Sequence, residues 1–287
     1  MPEVPTGELP PERSRAGRRN PTGTAAVRLR DATLSFGART LWSGLDLDIA
    51  PGEFLAVLGP NGSGKTSLLR VLLGQQELDR GSAEIAGRPV KRGSTRIGYV
   101  PQQKAFDPGL PVRGRDLVGF GLDGHKWGLP LGGKNRRRTI DEALASVNAS
   151  SYGDVPIGLL SGGEQQRLRI AQALITNPAV LLCDEPLLSL DIAHQRSVSE
   201  LIDARRKASN AAVVFVTHEI NPILDKVDRV LYLVDGQFRV GPPAEVMTSD
   251  VLTELYGTRI DVIHVGGRIV VVGAEDHGHH PTDVSHT

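Results

Sequence analysis

Three stretches of the chain are apolar almost without interruption: FLAVLG at 54–59, AVLLC at 179–183 and AAVVFV at 211–216. Runs this short and unbroken predict central parallel strands covered on both faces. VRLRDATLSF, from Val27, and LDLDI, at 45–49, instead alternate apolar with polar residues, as strands with one wet face do. Helical stretches are predicted between and after them, at Thr66 to Leu73, Gly162 to Ile175 and Ala193 to Lys207. Strands alternating with helices predict an α/β sheet whose ligands lie at the carboxyl ends of the strands.

Other segments break that rhythm. From about Lys104 to Leu160 come a glycine-rich stretch, GFGLDGHKWGLPLGG, a basic run (Lys134, Arg136, Arg137, Arg138) and one short helix, DEALASV. This is read as a mostly helical insertion with the basic run as a solvated face. Residues 1–24, with Pro2, Pro5, Pro10, Pro11 and Pro21 among Arg13, Arg15, Arg18 and Arg19, read as a disordered leader. Its arginines leave contact with acidic lipid as the alternative to a solvated tail. The last segment, 274–287, carries His277, His279, His280 and His286. Imidazoles suit Zn²⁺ and other late transition metals, so a flexible metal-sensing tail and an incidental polar one both stay open.

Composition narrows the classes. The chain of 287 residues is long enough for one large domain or two small ones, and 39% apolar with 23% charged residues is the balance of a folded protein. Its 33 Lys and Arg offset 33 Asp and Glu, which disfavours nucleic acid as a partner. Cys183, the only cysteine, cannot form an internal disulfide and lies in an apolar run, which suits a buried thiol and the cytosol. No run of about 18 to 20 apolar residues is present, so any service to a membrane is expected from outside the bilayer.

GPNGSGKT, Gly59 to Thr66, follows an apolar strand and opens a helix. In that context the glycines let backbone N–H groups converge on a phosphate, Lys65 adds a charge for the β and γ phosphates, and the Thr66 hydroxyl can ligate Mg²⁺. A glycine loop with no ligand is the alternative. LSGGEQQR, Leu160 to Arg167, has Ser161 and Glu164 at capping-box spacing, with Gly162 and Gly163 exposing the helix start. By itself it is equally an ordinary capped helix. Close downstream, VLLCDEP ends an apolar strand in Asp184 and Glu185, two carboxylates that a buried strand needs a reason to carry. A nucleotide site supplies one: Asp184 in a Mg²⁺ shell and Glu185 polarising the attacking water. His218 ends the run VVFVTH, where it can bridge Glu185, water and the γ phosphate.

These motifs, in this order from about Val27 to Val240, resemble the ATP-binding cassette ATPases, the nucleotide-binding subunits of ABC transporters. GPNGSGKT resembles the family's Walker A, VLLCDE its Walker B and LSGGE its signature. Gln102 in YVPQ matches the Q-loop, Asp191 in LLSLD the D-loop and His218 the switch histidine. The resemblance implies a P-loop α/β fold with a RecA-like core, an antiparallel β-subdomain and a helical subdomain. It divides the chain into an ATPase domain over 25–257, with the helical insertion at about 104–165, a C-terminal β extension over 258–273 and the tail. It implies ATP and Mg²⁺, with Glu185, His218 and Gln102 in catalysis and Thr66, Gln102 and Asp184 at the metal. Gly59, Pro60, Asn61, Gly62, Ser63, Gly64, Lys65, Thr66 and Ser67 would hold one nucleotide, and Ser161, Gly162, Gly163, Glu164 and Asp191 would face the nucleotide of a second copy. Phe36 occupies the position whose ring stacks on adenine in the family; a place in the core is the alternative.

Two departures stand out: Leu187 and Leu188 where the family has small polar residues, and Glu164 where glutamine is commonest. The implied partners are a second copy, head to tail, integral membrane permease subunits at the cytoplasmic face of the cell membrane, and indirectly a substrate-binding protein. FDPGLPVRGRDLV and VLTELYGTRIDVIHVGGRIVVVG resemble bacterial zinc and manganese importer ATPases. Iron, siderophore and haem importers share a similar ending. A soluble ABC protein that remodels another complex is the alternative class.

Overall fold

The computed structural model of the chain describes residues 25–102, 106–124 and 133–273. The leader, the histidine-bearing tail and part of the glycine-rich stretch, expected above as disordered or flexible segments, lie outside the described residues. Antiparallel strands β1 (Val27–Phe36) and β2 (Arg39–Ile49) open the fold, followed by β3 (Phe54–Leu58) and helix α1 (Lys65–Leu72). β4 (Arg80–Ile85) and β5 (Arg88–Pro89) complete a four-stranded antiparallel sheet in the order β2-β1-β4-β5. β6 (Ile97–Val100) leads to helices α2 (Gly114–Asp123), α3 (Lys134–Ser146) and α4 (Gly162–Leu174). β7 (Val180–Asp184), α5 (Ile192–Ser209), β8 (Ala212–Val216), β9 (Arg229–Val234) and β10 (Gln237–Gly241) finish a six-stranded sheet, ordered β10-β9-β3-β8-β7-β6. All its neighbouring pairs are parallel except β10 with β9.

The unbroken apolar runs have the expected cause. On β3, Phe54, Ala56 and Leu58 join one core while Leu55 and Val57 join the other. The same alternation sorts Leu181 and Cys183 from Val180 and Leu182, and Val213 and Phe215 from Ala212, Val214 and Val216. Successive side chains point to opposite faces, and both faces are covered, so every position is apolar. Helices α2 to α5 cover one face; α1 and the antiparallel sheet cover the other. Cys183 is buried, and burial pushes its thiol well above the ordinary range.

The insertion differs from the expectation in two ways. Helix α2 is a second helix beside the one short helix expected, and it runs into the glycine-rich stretch, where its glycines serve packing. A Cβ on Gly121 would stand 2.3 Å from the Gln172 carbonyl oxygen of α4, and one on Gly114 would stand 3.0 Å from Leu168. The short helix expected at DEALASV begins instead at Lys134, through the basic run. Lys134, Arg137 and Arg138 do face solvent, but Arg136 lies across Gly119 and pairs with Asp123 at 2.5 Å, tying α3 to α2.

After β10 come α6 (Pro243–Val246) and α7 (Ser249–Tyr256), then a separate hairpin, β11 (Ile260–Val265) with β12 (Arg268–Gly273). Gly266 and Gly267 both have positive φ, 57° and 75°, as a two-residue hairpin turn of the primed type demands. Asn221 holds the hairpin to the core: its side-chain amide donates to the Ile269 carbonyl at 2.9 Å and accepts from the Ile269 N–H at 2.8 Å.

Within a free helix, Gly121→Ala would stabilise by about 1 kcal/mol. Here the added methyl meets backbone, so we expect the variant to be destabilised by about 1–3 kcal/mol in thermal or urea unfolding. Stabilisation would show that α2 does not depend on this close approach.

Candidate active site

Four neighbouring parallel strands, β3, β8, β7 and β6, deliver the predicted site side chains from their carboxyl ends. β3 runs into the glycine loop, β8 into Thr217 and His218, β7 into Asp184 and Glu185, and β6 into Gln102 two residues beyond its end. The loop is shaped by glycine where nothing else fits. Gly59 has φ 138° and its Cβ would fall 2.0 Å from the Leu233 carbonyl oxygen; Gly64 has φ 98° and its Cβ would fall 2.9 Å from Trp42 Nε1. Asn61 and Gly62 stay open to solvent, Pro60 and Ser67 are half-buried, and Ser63 is buried with its hydroxyl unpartnered among the described residues.

Lys65 folds back under this loop. Its ammonium is buried and donates to the carbonyls of Gly59 at 2.7 Å and Pro60 at 2.9 Å. Burial lowers its pKa, opposed by the charges of Glu185 and Asp184. Asp184 is also buried; burial first and the adjacent Glu185 second raise its pKa, against hydrogen bonds from Thr66 and Tyr99. Those bonds are long, 3.4 Å from Thr66 Oγ1 to Oδ1 and 3.4 Å from Tyr99 OH to Oδ2. Burial and the Asp184 charge push the Tyr99 phenol up to about 12, so it is a donor throughout the neutral range. The hard oxygen donors of Thr66 and Asp184 suit Mg²⁺, which usually takes one or two protein ligands and completes its shell with phosphate and water.

Glu185 turns the chain out of β7 with φ 46°, a left-handed conformation that costs a residue of this type on the order of 1–3 kcal/mol. The turn brings its carboxylate to Gln102 Nε2 at 3.3 Å and to His218 Nδ1 at 4.0 Å. A cavity beside them is lined by Glu185, Thr217, His218 and Pro222. The predicted base, histidine and glutamine are therefore one cluster. One half of the departure at Leu187 and Leu188 is explained here: Leu187 is buried in the core and serves packing.

The signature lies at the start of α4. Ser161 caps the helix, its hydroxyl accepting from the Glu164 N–H at 3.4 Å while Glu164 Oε2 accepts from the Ser161 N–H at 2.8 Å. A glutamate fills that capping role by its charge as well as its shape. Asp191 caps α5 through the His194 N–H at 2.9 Å. Phe36, at the end of β1, is 53% exposed, which removes the core alternative.

Three side chains next to the site were not read from the sequence. Trp42 walls the loop at Gly64, Tyr99 reaches Asp184, and His194 lies on Gly163. Trp42 and Tyr99 depend on strand register and carry no local signal. His194 does carry one, as the third helical residue after the cap Asp191, a position from which side chains reach back.

A glycine loop joining a parallel strand to a helix, with its lysine beside a strand-end carboxylate pair, defines a P-loop nucleoside-triphosphatase. The comparisons are narrower. The ABC transporter family model matches residues 42–188. The chain is 32% identical over 254 residues to the zinc import ATP-binding protein ZnuC of Halorhodospira halophila (strain DSM 244 / SL1), covering 88% of this chain and 89% of that one. It is 33% identical over 248 residues to the hemin import ATP-binding protein HmuV of Thermobifida fusca (strain YX), 84% and 86% of the two chains. Among solved structures, an inward-facing putative metal-chelate type ABC transporter matches with a TM-score of 0.74 and 27% identity, over 88% of this chain and 98% of that one. The chain belongs to the ABC transporter family and is its ATP-binding, ATP-hydrolysing domain.

Base stacking on an aromatic ring is worth about 1 to 3 kcal/mol, so Phe36→Ala should weaken ATP roughly 5- to 150-fold in equilibrium titration. An exposed ring contributes little to folding, and the melting temperature should hold. A lower melting temperature with unchanged affinity would refute the stacking role.

Proposed function

We propose that this chain is the ATPase subunit of an importer, peripheral at the cytoplasmic face of the membrane, that powers uptake of a transition metal through separate permease subunits. The carrying observation is the convergence of Lys65, Thr66, Asp184, Glu185, Gln102 and His218 at the ends of four adjacent strands. In this reading the loop from Gly59 to Ser67 cradles the triphosphate, and Lys65 exchanges its two loop carbonyls for phosphate oxygens. Thr66, Asp184 and Gln102 hold Mg²⁺, which neutralises charge on the phosphates when bound. Glu185 takes the proton of the attacking water, and His218, beside it, orients the water and the γ phosphate.

The signature residues Ser161, Gly162, Gly163 and Glu164, with Asp191, face the nucleotide of a second copy arranged head to tail. A substrate-binding protein would act on the pair only through the permease, and nucleic acid has no part. No helix among the described residues is long and apolar enough to cross a membrane, which supports separate permease subunits. For the cargo the first reading is a free ion, zinc or manganese, and similarity to a zinc import protein supports zinc. The second reading is haem or an iron chelate, and similarity to a hemin import protein, at nearly the same identity, supports haem. Uptake of radioactive zinc and manganese, against haem-dependent growth, in cells lacking the chain separates the two. Failure to co-purify with a polytopic membrane protein would favour a soluble remodelling ATPase.

Glu185→Gln is expected to leave ATP binding intact, to lower turnover by about 10²- to 10⁴-fold, and to trap an ATP-bound pair visible by sizing with ATP and Mg²⁺. Near-normal turnover would remove Glu185 from its role as base.

A further inference from the structure

The starts of α4 and α5 meet at a contact that involves neither the glycine loop nor the strand-end carboxylates. His194 is at its centre. Its backbone N–H donates to Asp191 Oδ1 at 2.9 Å, and its ring Nδ1 lies 2.6 Å from Asp191 Oδ2, so one residue holds both carboxylate oxygens. A carboxylate only accepts, so Nδ1 carries the proton. The hydrogen bond from the His194 backbone, then that from its ring, keeps the Asp191 carboxyl below the ordinary range. The opposite edge of the ring covers Gly163, the second residue of α4. A Cβ there would stand 2.4 Å from His194 Cδ2 and 3.0 Å from Nε2, so the ring occupies the space that the missing side chain leaves.

Capping alone does not need this ring. The backbone N–H of any third residue would satisfy Asp191 Oδ1. What His194 adds is a second bond to the cap and a packed contact to another helix. The loop before Asp191 is held on the core side, where Leu187 is buried and Leu190 packs, while Ser189 has φ 64° and Ile192, just after Asp191, is 80% exposed.

We propose that His194 is a positioning residue that locks the Asp191 loop to the signature at Gly163, so that both are presented to the second copy as one rigid unit. This rests on the head-to-tail reading above. His194 acts through Asp191 and Gly163 and is assigned no contact with nucleotide.

The test uses the full chain carrying Glu185→Gln, with the dissociation constant of the ATP–Mg²⁺-bound pair measured by sedimentation and the ATP affinity of the dilute single chain measured separately. His194→Leu keeps the branched outline of the first ring atoms and removes the donor. It is expected to weaken pairing about tenfold, the scale of one charge-assisted hydrogen bond, with single-chain ATP affinity within about twofold. His194→Asn places a nitrogen donor where Nδ1 stood and an oxygen where Cδ2 stood, and should restore pairing to within about threefold. Equal pairing by the histidine and leucine chains overturns the proposal, and so does an asparagine chain no better than leucine. A loss of single-chain ATP affinity matching the loss of pairing also overturns it, since the effect would then lie in the nucleotide loop. If the chain with His194 intact does not pair at all, the head-to-tail reading fails and the proposal falls with it.

Discussion

Sealing the parallel sheet on both faces is the constraint from which the rest follows. Strands β3, β7 and β8 have no face toward water, so a polar side chain can leave them only at an end. Each strand keeps its apolar run to the carboxyl edge and there turns polar, at Gly59, Asp184 and Thr217. Because these strands are parallel and adjacent, the three turns fall side by side, with β6 adding Gln102 at the flank. A site with a lysine, two carboxylates, a histidine and an amide is thus assembled by the same packing that makes the core.

That arrangement is electrostatically incomplete in a directed way. Asp184 and Glu185 are neighbouring like charges, and burial opposes ionisation of Asp184. Lys65 is desolvated and, among the described residues, donates to loop carbonyls. A polyphosphate accompanied by a divalent cation answers both needs, supplying anionic oxygens for the ammonium and positive charge for the carboxylates. Burial of Lys65 and Asp184 strengthens both interactions, because charges attract more strongly where water is excluded.

The two layers laid on the sheet do different work. On one face the antiparallel sheet and α1 support the loop, with Trp42 against Gly64. On the other, α2, α3 and α4 form a compact helical unit whose approach depends on Gly114 and Gly121 having no side chain. Through α4 this unit carries the signature, and through His194 it meets α5. The same helices that complete the core therefore also set where Ser161 and Asp191 stand.

The sequence by itself determined the class of fold, the strands at the three apolar runs and the identity of the nucleotide motifs. Each is a local property: an unbroken apolar run reports burial on both faces, and GPNGSGKT reports a backbone that only glycine allows. It also carried the capping pair of Ser161 and Glu164, whose partners are three residues apart. The tertiary structure decided what rests on distant partners. Helix α2 carried no helical signal of its own in a glycine-rich stretch, and its glycines acquire a purpose only with α4 against them. Arg136 read as solvated until Gly119 and Asp123 came beneath it. The exposure of Phe36, the reach of Tyr99 to Asp184 and the seat of His194 on Gly163 all depend on neighbours many residues away. Local pattern encodes how a residue meets water and its own backbone, whereas the register between strands and the distance between helices are set only when the whole core closes.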